Sequence, residues 1–309
     1  MSKKMFDFVI GNPPYQESRE DTKDIPIYHY FIDATYGIAE KVELITPARF
    51  LFDAGATPKK WNEMMLNNKH FKILKYEQKS GYVFQGTDIK GGVAIHYKDD
   101  KKSFGAVGVF TPFTELRNIR EKVKNEVSLQ TIMVLQLKFN LNELYKDYPN
   151  YKNIIGSNGK ERRLTSNIFA LLPGLFSDEK KNSDDIAIWG LINNKRTLKF
   201  CNRKYLDNNH ENLNYYKILI PKSNGTGAIG EVLSTPLIGE PLIGFTFSFI
   251  SVGKFSNEIE SKNCLKYIKS KFARTCLGIL KITQDNLPEK WKYVPLQDFT
   301  SNSDIDWSK

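Results

Sequence analysis

The sequence is poor in the residues that form disulfide frameworks and metal sites. Its three cysteines, Cys201, Cys264 and Cys276, show no CxxC spacing, and its four histidines are scattered without an HExxH pair. We therefore expect neither a disulfide framework nor a metal site. Cysteines that are few and odd in number fit a reducing cytoplasm better than an oxidising compartment.

Long apolar runs are also missing. No stretch approaches the roughly 20 apolar residues that a membrane-spanning helix needs. The apolar run near the start of the chain is too short for a signal peptide. We therefore expect a soluble cytoplasmic protein with no membrane partner.

Charge is plentiful and unbalanced. The 309 residues include 45 Lys and Arg against 35 Asp and Glu, a formal net charge of +10. A positive surplus favours polyanionic partners, nucleic acid first. Ribosomal proteins, proteins that bind membrane surfaces and ordinary basic enzymes share such a surplus, so charge alone does not choose among them.

Hydrophobic patterning predicts an α/β region at the start of the chain. Short apolar runs are typical of buried strands, and apolar residues at helical spacing separate them. The predicted strands are Phe6–Ile10, Val42–Ile45, Phe71–Tyr76 and Val93–Tyr97. Predicted helices carry Ile27, Tyr30, Phe31 and Ala34, and then Trp61, Met64, Met65 and Leu66. This alternation predicts a mostly parallel sheet with crossover helices.

The remainder of the chain is patterned more loosely. The charged turn Lys98–Ser103 marks the expected boundary, which gives domains of residues 1–103 and 104–309. Short strands are predicted at Ile186–Leu191, Tyr216–Ile220 and Phe245–Val252. An amphipathic helix from about Glu258 to Leu277 places Leu265, Ile268, Phe272 and Cys276 on its apolar face. These elements predict an irregular α+β domain.

The tetrapeptide Asn12-Pro13-Pro14-Tyr15 directly follows the first predicted strand. In an open α/β sheet, ligands bind at the carboxyl ends of strands. The Asn12 carboxamide oxygen can accept a hydrogen bond from an amino group, and the prolines fix φ and leave backbone carbonyls unpaired. Tyr15 adds a flat ring. Two acceptors beside a stacking face suit the exocyclic amine of a planar base, whose nitrogen becomes more nucleophilic when both its protons are held.

A bare Asn-Pro-Pro is usually only a turn that ends a strand. The longer string Phe6–Gln16, FDFVIGNPPYQ, is far more specific. It resembles the catalytic loop of the adenine-specific DNA amino-methyltransferases (NPPY type, gamma motif order) of type II restriction–modification systems. The resemblance continues at Ile45–Phe50 and Val83–Ile95. Segments similar to that family's target-recognition region are Lys222–Gly227, Tyr267–Phe272 and Val294–Phe299.

The resemblance implies methyl transfer from S-adenosylmethionine to the N6 atom of an adenine flipped out of double-stranded DNA. Residues 1–103 would be the C-terminal part of a Rossmann-like methyltransferase sheet, and residues 104–309 an α+β target-recognition domain. Asn12 and the Pro13 carbonyl would hold the amino group. Tyr15 would stack on one face of the adenine and Phe84 on the other, replacing the stacking lost on flipping. The alternative for Phe84 is ordinary apolar packing.

The family holds its methyl donor mainly through a glycine-rich turn and an acidic residue that precede the catalytic loop. Only eleven residues precede Asn12 here, so we expect the chain to need a separate donor-binding subunit, and a restriction endonuclease is a further expected partner. The G-x-G-x-x-G string Gly225–Gly230 is followed by Pro236 and Pro241, which leave no room for the helix of a nucleotide site. It is expected to be a flexible loop near the DNA backbone.

Several other residues are weaker candidates for DNA contacts through phosphates or base edges. They are Arg162, Arg163, Lys222, Asn224, Lys266 and Lys269. For the helix lysines a solvated helix face is an equally good explanation. Glu77–Lys79 resembles half of a nuclease magnesium site, but no partner aspartate stands in a convincing upstream strand.

Three functions remain open from the sequence. The first is a site-specific DNA adenine-N6 methyltransferase. The second is a catalytically silent DNA-recognition subunit or remnant that needs a separate donor-binding chain. The third is a restriction nuclease, which predicts magnesium-dependent cleavage.

Overall fold

The computed structural model describes residues 4–17, 25–155 and 162–308. The chain divides into two compact units, Met1–Arg117 and Asn118–Lys309. The division falls later than Ser103 because the segment after the charged turn still packs on the first unit. The Phe104 backbone N–H donates to the Lys69 carbonyl at 2.7 Å, and the rings of Phe110 and Phe52 lie 5.2 Å apart. That the units are catalytic and recognition domains stays a prediction.

The first unit is a mixed α and β structure built on one four-stranded sheet. Its elements are β1 (Phe6–Gly11), β2 (Gln16–Glu17), β3 (Ile25–Pro26), α1 (Tyr28–Ile38), β4 (Ala39–Pro47), α2 (Lys59–Asn67), β5 (Phe71–Glu77) and β6 (Val93–Asp99). The order across the sheet is β1-β4-β6-β5. β1 pairs with β4 in parallel, whereas β6 is antiparallel to both β4 and β5. The expected mostly parallel sheet is therefore found only in part. A loop without an α-helix, residues 78–92, joins β5 to β6, and a connection of that kind returns the chain antiparallel.

The first strand is not buried, contrary to the expectation from its composition. β1 lies at the edge of the sheet, and its alternate residues Phe6, Phe8 and Ile10 are 51%, 45% and 71% exposed. Apolar sequence alone does not distinguish a strand buried on both faces from one whose face is left uncovered.

The core of the first unit surrounds Phe50, whose ring is fully buried. Phe50 lies 5.4 Å from the ring of Trp61 and 6.3 Å from that of Phe71. α1 covers this core with a different face from the predicted one. Its buried residues are Tyr28, His29 and Ile32, whereas Tyr30 and Phe31 are exposed.

The second unit combines two sheets with short helices, and α3 (Thr114–Val123) spans the division. Its other elements are β7 (Met133–Val134), α4 (Leu141–Asp147), α5 (Tyr151–Ile155), α6 (Ile168–Leu171), β8 (Asp185–Ile192), β9 (Lys195–Asn202), β10 (Tyr216–Pro221), β11 (Leu237–Gly239), β12 (Ile243–Phe245), β13 (Phe249–Phe255), α7 (Glu258–Lys269) and α8 (Lys271–Leu277). One sheet, ordered β11-β10-β13-β7, is antiparallel throughout, and the other is ordered β12-β8-β9. The prediction of mixed α and β structure for this part of the chain is therefore confirmed.

The long amphipathic helix predicted near the end of the chain is two helices. α7 ends at Lys269, and Ser270 takes an extended conformation with its hydroxyl accepting from the Ala273 N–H at 3.1 Å. This serine cap starts α8 in a new direction. Phe272 consequently leaves the apolar face and is 47% exposed, whereas Ile268 and Cys276 are buried as predicted.

Two further observations bear on class. Within the described ranges, no helix is both long and apolar enough to cross a membrane. Among those same residues, no group of three or more His, Cys, Asp or Glu side chains could hold a metal ion.

Candidate functional site

The NPPY loop, Asn12–Tyr15, connects β1 to β2 at the carboxyl end of the parallel strand pair. Gly11, the last residue of β1, is in register with Leu44 of β4. Beyond the loop, the Tyr15 carbonyl accepts from the Ile27 N–H at 3.1 Å, and β2 pairs with β3. The loop is therefore fixed at both ends, at the edge where an open α/β sheet binds ligands.

This loop forms one wall of a cleft of about 810 Å³ in the first unit. The cleft is lined by Asn12, Pro13, Pro14, Tyr15, Gln16, Pro26, Tyr28, Pro47, Arg49, Gly55, Ala56, Phe84, Thr87, Asp88 and Ile89. Its volume lies within the usual range for small-molecule sites and is ample for a nucleobase. All five residues predicted for the first unit's site, Asn12 to Tyr15 and Phe84, therefore line one cavity.

The polar groups of the loop are open to a ligand. No described residue forms a hydrogen bond with the Asn12 carboxamide or with the Pro13 carbonyl. The Tyr15 hydroxyl is buried and has no hydrogen-bond partner among the described residues. Burial raises the pKa of Tyr15 to about 12, so the phenol stays protonated at neutral pH and can donate. The two acceptors Asn12 Oδ1 and the Pro13 carbonyl oxygen thus remain unused at the cleft wall, whereas the Tyr15 hydroxyl is unpaired and buried.

Phe84 reaches the NPPY loop from a distant part of the sequence. Its ring centroid lies 6.3 Å from that of Tyr15, and the ring planes are inclined at 66°. This edge-to-face contact differs from the expected pair of parallel stacking faces. A flat base cannot lie face to face with both rings while they are inclined in this way.

The loop that carries Phe84 is held by one buried serine. The Ser80 hydroxyl donates to the Thr87 carbonyl at 3.1 Å and accepts from the Ile89 N–H at 2.8 Å. The Phe84 N–H donates to the Ser80 carbonyl at 2.8 Å. Ser80 therefore fixes the far wall of the cleft.

Two charged residues of the cleft were not assigned a role from the sequence. Arg49 follows β4 and donates from Nε to the Lys90 carbonyl, and its aliphatic part lies against Gly55. Asp88 forms an ion pair with Lys90. Arg49 could have been found from its position, because it follows the strand that pairs with β1, at the ligand-binding edge.

The candidate DNA contacts of the second unit lie on separate elements. Arg162 and Arg163 are exposed at a second cleft, within that unit. The Lys222 ammonium lies 4.9 Å from the centre of the Phe247 ring. Lys266 donates to the Trp307 carbonyl, and Lys269 is exposed at the end of α7.

Asn224, another candidate DNA contact, acts inside the protein. It is 4% exposed, its amide N–H donates to the Val232 carbonyl at 3.1 Å, and its carboxamide oxygen accepts from the Ser234 N–H. Both ends of the side chain are thus occupied. We therefore do not include Asn224 among the residues offered to DNA.

The glycine-rich string Gly225–Gly230 is a loop whose backbone binds an internal carboxylate. The carboxylate of Glu231 accepts from the backbone N–H groups of Thr226 and Gly227, at 2.8 and 3.1 Å, and forms an ion pair with the buried Lys281. An internal carboxylate thus occupies the position where a phosphate would bind in a nucleotide loop. These hydrogen bonds and Lys281 hold the pKa of Glu231 below its usual range, against the effect of burial.

The described residues do not fit S-adenosylmethionine, the donor implied by the resemblance. In the sheet of the first unit, no strand among these residues runs through a glycine-rich turn into a helix. The carboxylate that lines the cleft, Asp88, is already paired with Lys90. The NPPY cleft therefore offers groups for a base and its amine, and not the usual groups for the donor.

Comparisons with known proteins give a family match for the start of the chain and a likeness to a solved structure. Residues 1–84 match the family model of the Eco57I restriction-modification methylase. The solved structure of the type IIG restriction endonuclease BpuSI is similar at 10% identity and a TM-score of 0.31, over 88% of this chain and 42% of that one. The chain thus spans less than half the length of that structure. No curated protein matches the chain. The first 84 residues are accordingly similar to restriction-modification methylases.

Proposed function

We propose that the chain takes part in N6 methylation of adenine in double-stranded DNA, and that the NPPY cleft holds the target base. One observation carries the proposal. The Asn12 carboxamide and the Pro13 carbonyl, both free of described partners, line a cleft at the carboxyl end of β1 that is large enough for a nucleobase. The match of residues 1–84 to restriction-modification methylases supports the same reaction class.

The groups of this chain would act on the amine before the methyl group arrives. Asn12 Oδ1 and the Pro13 carbonyl oxygen each accept a hydrogen bond from one of the two amino N–H groups of adenine. Holding both protons turns the nitrogen lone pair away from the ring and makes it nucleophilic, so no strong base is needed. S-adenosylmethionine would supply the methyl group, and no step is assigned to donor contacts from this chain.

The aromatic pair would receive the base in an arrangement different from the present one. Tyr15 offers a face for stacking, and Phe84 now contacts the edge of that ring. For the base to enter, one ring must turn toward the parallel orientation. Stacking on two aromatic faces then offsets the cost of removing adenine from the duplex, which is a few kcal/mol.

The proposal is tested by following labelled methyl groups from S-adenosylmethionine into a random-sequence duplex, with the chain alone and with a donor-binding partner chain added, after which the nucleosides are separated. We expect the label on N6 of deoxyadenosine and a fall of about a hundredfold or more in Asn12→Ala, the usual loss for a group aimed at the reacting centre. Asn150→Ala is the matched control, because Asn150 is exposed in the second unit. Label on cytosine, or equal transfer by Asn12→Ala, contradicts the proposal.

A second candidate is a methyltransferase half that depends on a separate donor-binding chain. The uncovered edge of β1 favours it. β1 is the edge strand of the sheet, and Phe6, Phe8 and Ile10 form an exposed apolar row on one face of it, next to the NPPY loop. An exposed apolar edge strand is an unusual feature that natural proteins normally cover or charge. A first unit that is part of a larger Rossmann-like sheet would have its missing strands on this side.

Calorimetry distinguishes the two candidates. Micromolar binding of S-adenosylmethionine to the purified chain indicates a donor site within it and a complete enzyme. Duplex binding without donor binding indicates a half that needs a partner, in which case methyl transfer appears only when that partner is added. A restriction endonuclease, fused or separate, would complete the proposed restriction–modification system in the cytoplasm.

A further inference from the structure

The second unit contains a cleft of about 620 Å³ whose floor is joined by backbone hydrogen bonds. Three chain segments that are far apart in sequence form this floor through backbone hydrogen bonds. The Asn140 N–H donates to the Tyr205 carbonyl and the Asp207 N–H donates to the Lys138 carbonyl, each at 2.9 Å, and Phe139 donates to the Arg162 carbonyl. Side chains that rise from this floor are therefore held at fixed spacing.

The rim of this cleft is polar and positively charged. Its polar lining side chains are Lys138, Asn140, Asn142, Arg162, Arg163, Asp207, Asn208 and Asn209. Three cations thus face one carboxylate, and that carboxylate, Asp207, already accepts from the Asn209 N–H at 3.0 Å. The net charge of the cleft favours an anionic ligand.

Several amides of the cleft are free to read a ligand. Asn208 is occupied, because its oxygen accepts from Arg203 Nε at 2.6 Å. The side chains of Asn140, Asn142 and Asn209 form no hydrogen bond with a described residue, and Asn140 does not cap the helix that it precedes. A carboxamide offers one donor group and one acceptor, which is the pattern that matches the major-groove edge of adenine.

We propose that this cleft, named here the Asn–Arg cleft, is where the second unit contacts and reads duplex DNA. Lys138, Arg162 and Arg163 bind phosphates, and Asn142 and Asn209 read the edges of neighbouring bases. The inference rests on the proposed function only in that a site-specific methyltransferase must read DNA. Cations position a protein on the phosphates, whereas amides that reach base edges give sequence preference.

The basic helix α7 is a weaker place for this role. Lys262 is paired with Glu258 at 2.9 Å, and Lys266 donates to a backbone carbonyl. By contrast, no ion pair joins Lys138, Arg162 or Arg163 to a described carboxylate. The cations of the Asn–Arg cleft are therefore more available to a phosphate.

Phosphate binding is tested by fluorescence anisotropy of the full chain with a random-sequence duplex at several salt concentrations, without methyl donor. Each lost phosphate contact should reduce the slope of log K against log salt by about 0.9. We expect Lys138→Gln/Arg163→Gln to lower the slope by about 1.8 and the affinity at least tenfold. The control is Lys180→Gln/Lys181→Gln, which removes the same charge from an exposed loop elsewhere in the unit.

Base reading is tested by selecting bound sequences from a random duplex pool. We expect Asn142→Ala/Asn209→Ala to lose the preference at one or two positions of the selected sequence while keeping the wild-type salt slope. Thermal unfolding of each variant checks that the unit remains folded. Cleft variants that bind and select like the control overturn the proposal, as does an absence of duplex binding or a preference for single-stranded RNA.

The result is separable from that of the methylation experiment. Binding that depends on the Asn–Arg cleft, in a chain that methylates neither alone nor with a donor-binding partner, retains this inference and removes the proposed function. Methyl transfer that is unaffected by the cleft variants does the opposite.

Discussion

The loop that carries Phe84 depends on Ser80, and replacing this residue with alanine gives a quantitative test of the cleft's architecture. Ser80 is 3% exposed and joins two backbone groups of the loop, the Thr87 carbonyl and the Ile89 N–H. Ser80→Ala removes the acceptor of the Ile89 N–H and leaves that group without its partner. An unsatisfied buried donor costs about 1–3 kcal/mol. The loop should therefore open about 5 to 140 times more often, since each 1.4 kcal/mol is a factor of ten.

Hydrogen exchange measures this opening directly, because amide protection reports local opening free energies. We expect exchange at Ile89 and its neighbours to accelerate by that factor in Ser80→Ala, while amides of β8 in the second unit keep their wild-type rates. Thr87→Val is the control. It removes only an exposed hydroxyl that donates to the Phe84 carbonyl at 2.8 Å, so its effect should be about twofold or less. Unchanged protection at Ile89 in Ser80→Ala would refute the role given to this serine.

Three further predictions concern stability. Gly92→Ala should destabilise the protein by about 1–3 kcal/mol, and by more than Gly86→Ala does. Both glycines have φ of +76°, but only at Gly92 would an added Cβ clash, because it would lie 2.2 Å from the Glu77 carbonyl oxygen. Equal thermal midpoints for the two variants would contradict this prediction. Burial lowers the pKa of His96 to about 3. Between pH 3 and about pH 6.5, His96 therefore binds more protons in the unfolded chain than in the folded one. The free energy of unfolding falls as the pH drops through this range, by up to about 1.4 kcal/mol per pH unit. His96→Gln should remove that part of the pH dependence in urea unfolding, and an unaltered dependence would argue against it. Lys217→Met should lower the free energy of unfolding by about 1–3 kcal/mol. The buried Lys217 side chain donates to backbone carbonyls that would lose their partner, those of Asn212, Leu213, Tyr215 and Glu240. Equal or greater stability of the variant in urea would show that these hydrogen bonds do not stabilise the fold.

The NPPY loop could be predicted from the sequence because its position depends on local order. A strand followed directly by Asn-Pro-Pro-Tyr puts those residues at the strand's carboxyl end in any open α/β sheet. The family resemblance added Phe84, which lies 69 positions after Tyr15 and still contacts its ring. The angle between these rings depends on packing and had no sequence signal.

Burial was harder to predict than element type. β1 was expected to be buried because its residues are apolar, but exposure depends on which elements lie beside it. The break between α7 and α8 depends on one residue, Ser270, whose hydroxyl competes for backbone hydrogen bonds. Apolar residues keep helical spacing on both sides of Ser270, so the sequence pattern predicts one helix although the chain forms two.

The Asn–Arg cleft shows what sequence reading misses in an irregular unit. Arg162 and Arg163 stood out as a basic pair, whereas Lys138 and Asn209 carry no local signal. Backbone hydrogen bonds between distant segments bring these residues together. Only a structure reveals such a set.

The central claim is that the NPPY loop recognises the amino group of adenine, and nucleoside binding tests it most directly. Saturation-transfer NMR on the full chain would compare adenosine with purine riboside, which lacks the amino group. Two hydrogen bonds of about 0.5–1.5 kcal/mol each predict that adenosine binds about 5 to 140 times more tightly than purine riboside. They also predict that this preference falls by about 2- to 12-fold in Asn12→Ala, which loses one of the two hydrogen bonds, and is unchanged in Asn150→Ala. Equal binding of the two nucleosides by the wild-type chain, or a preference that is undiminished in Asn12→Ala, would contradict the account.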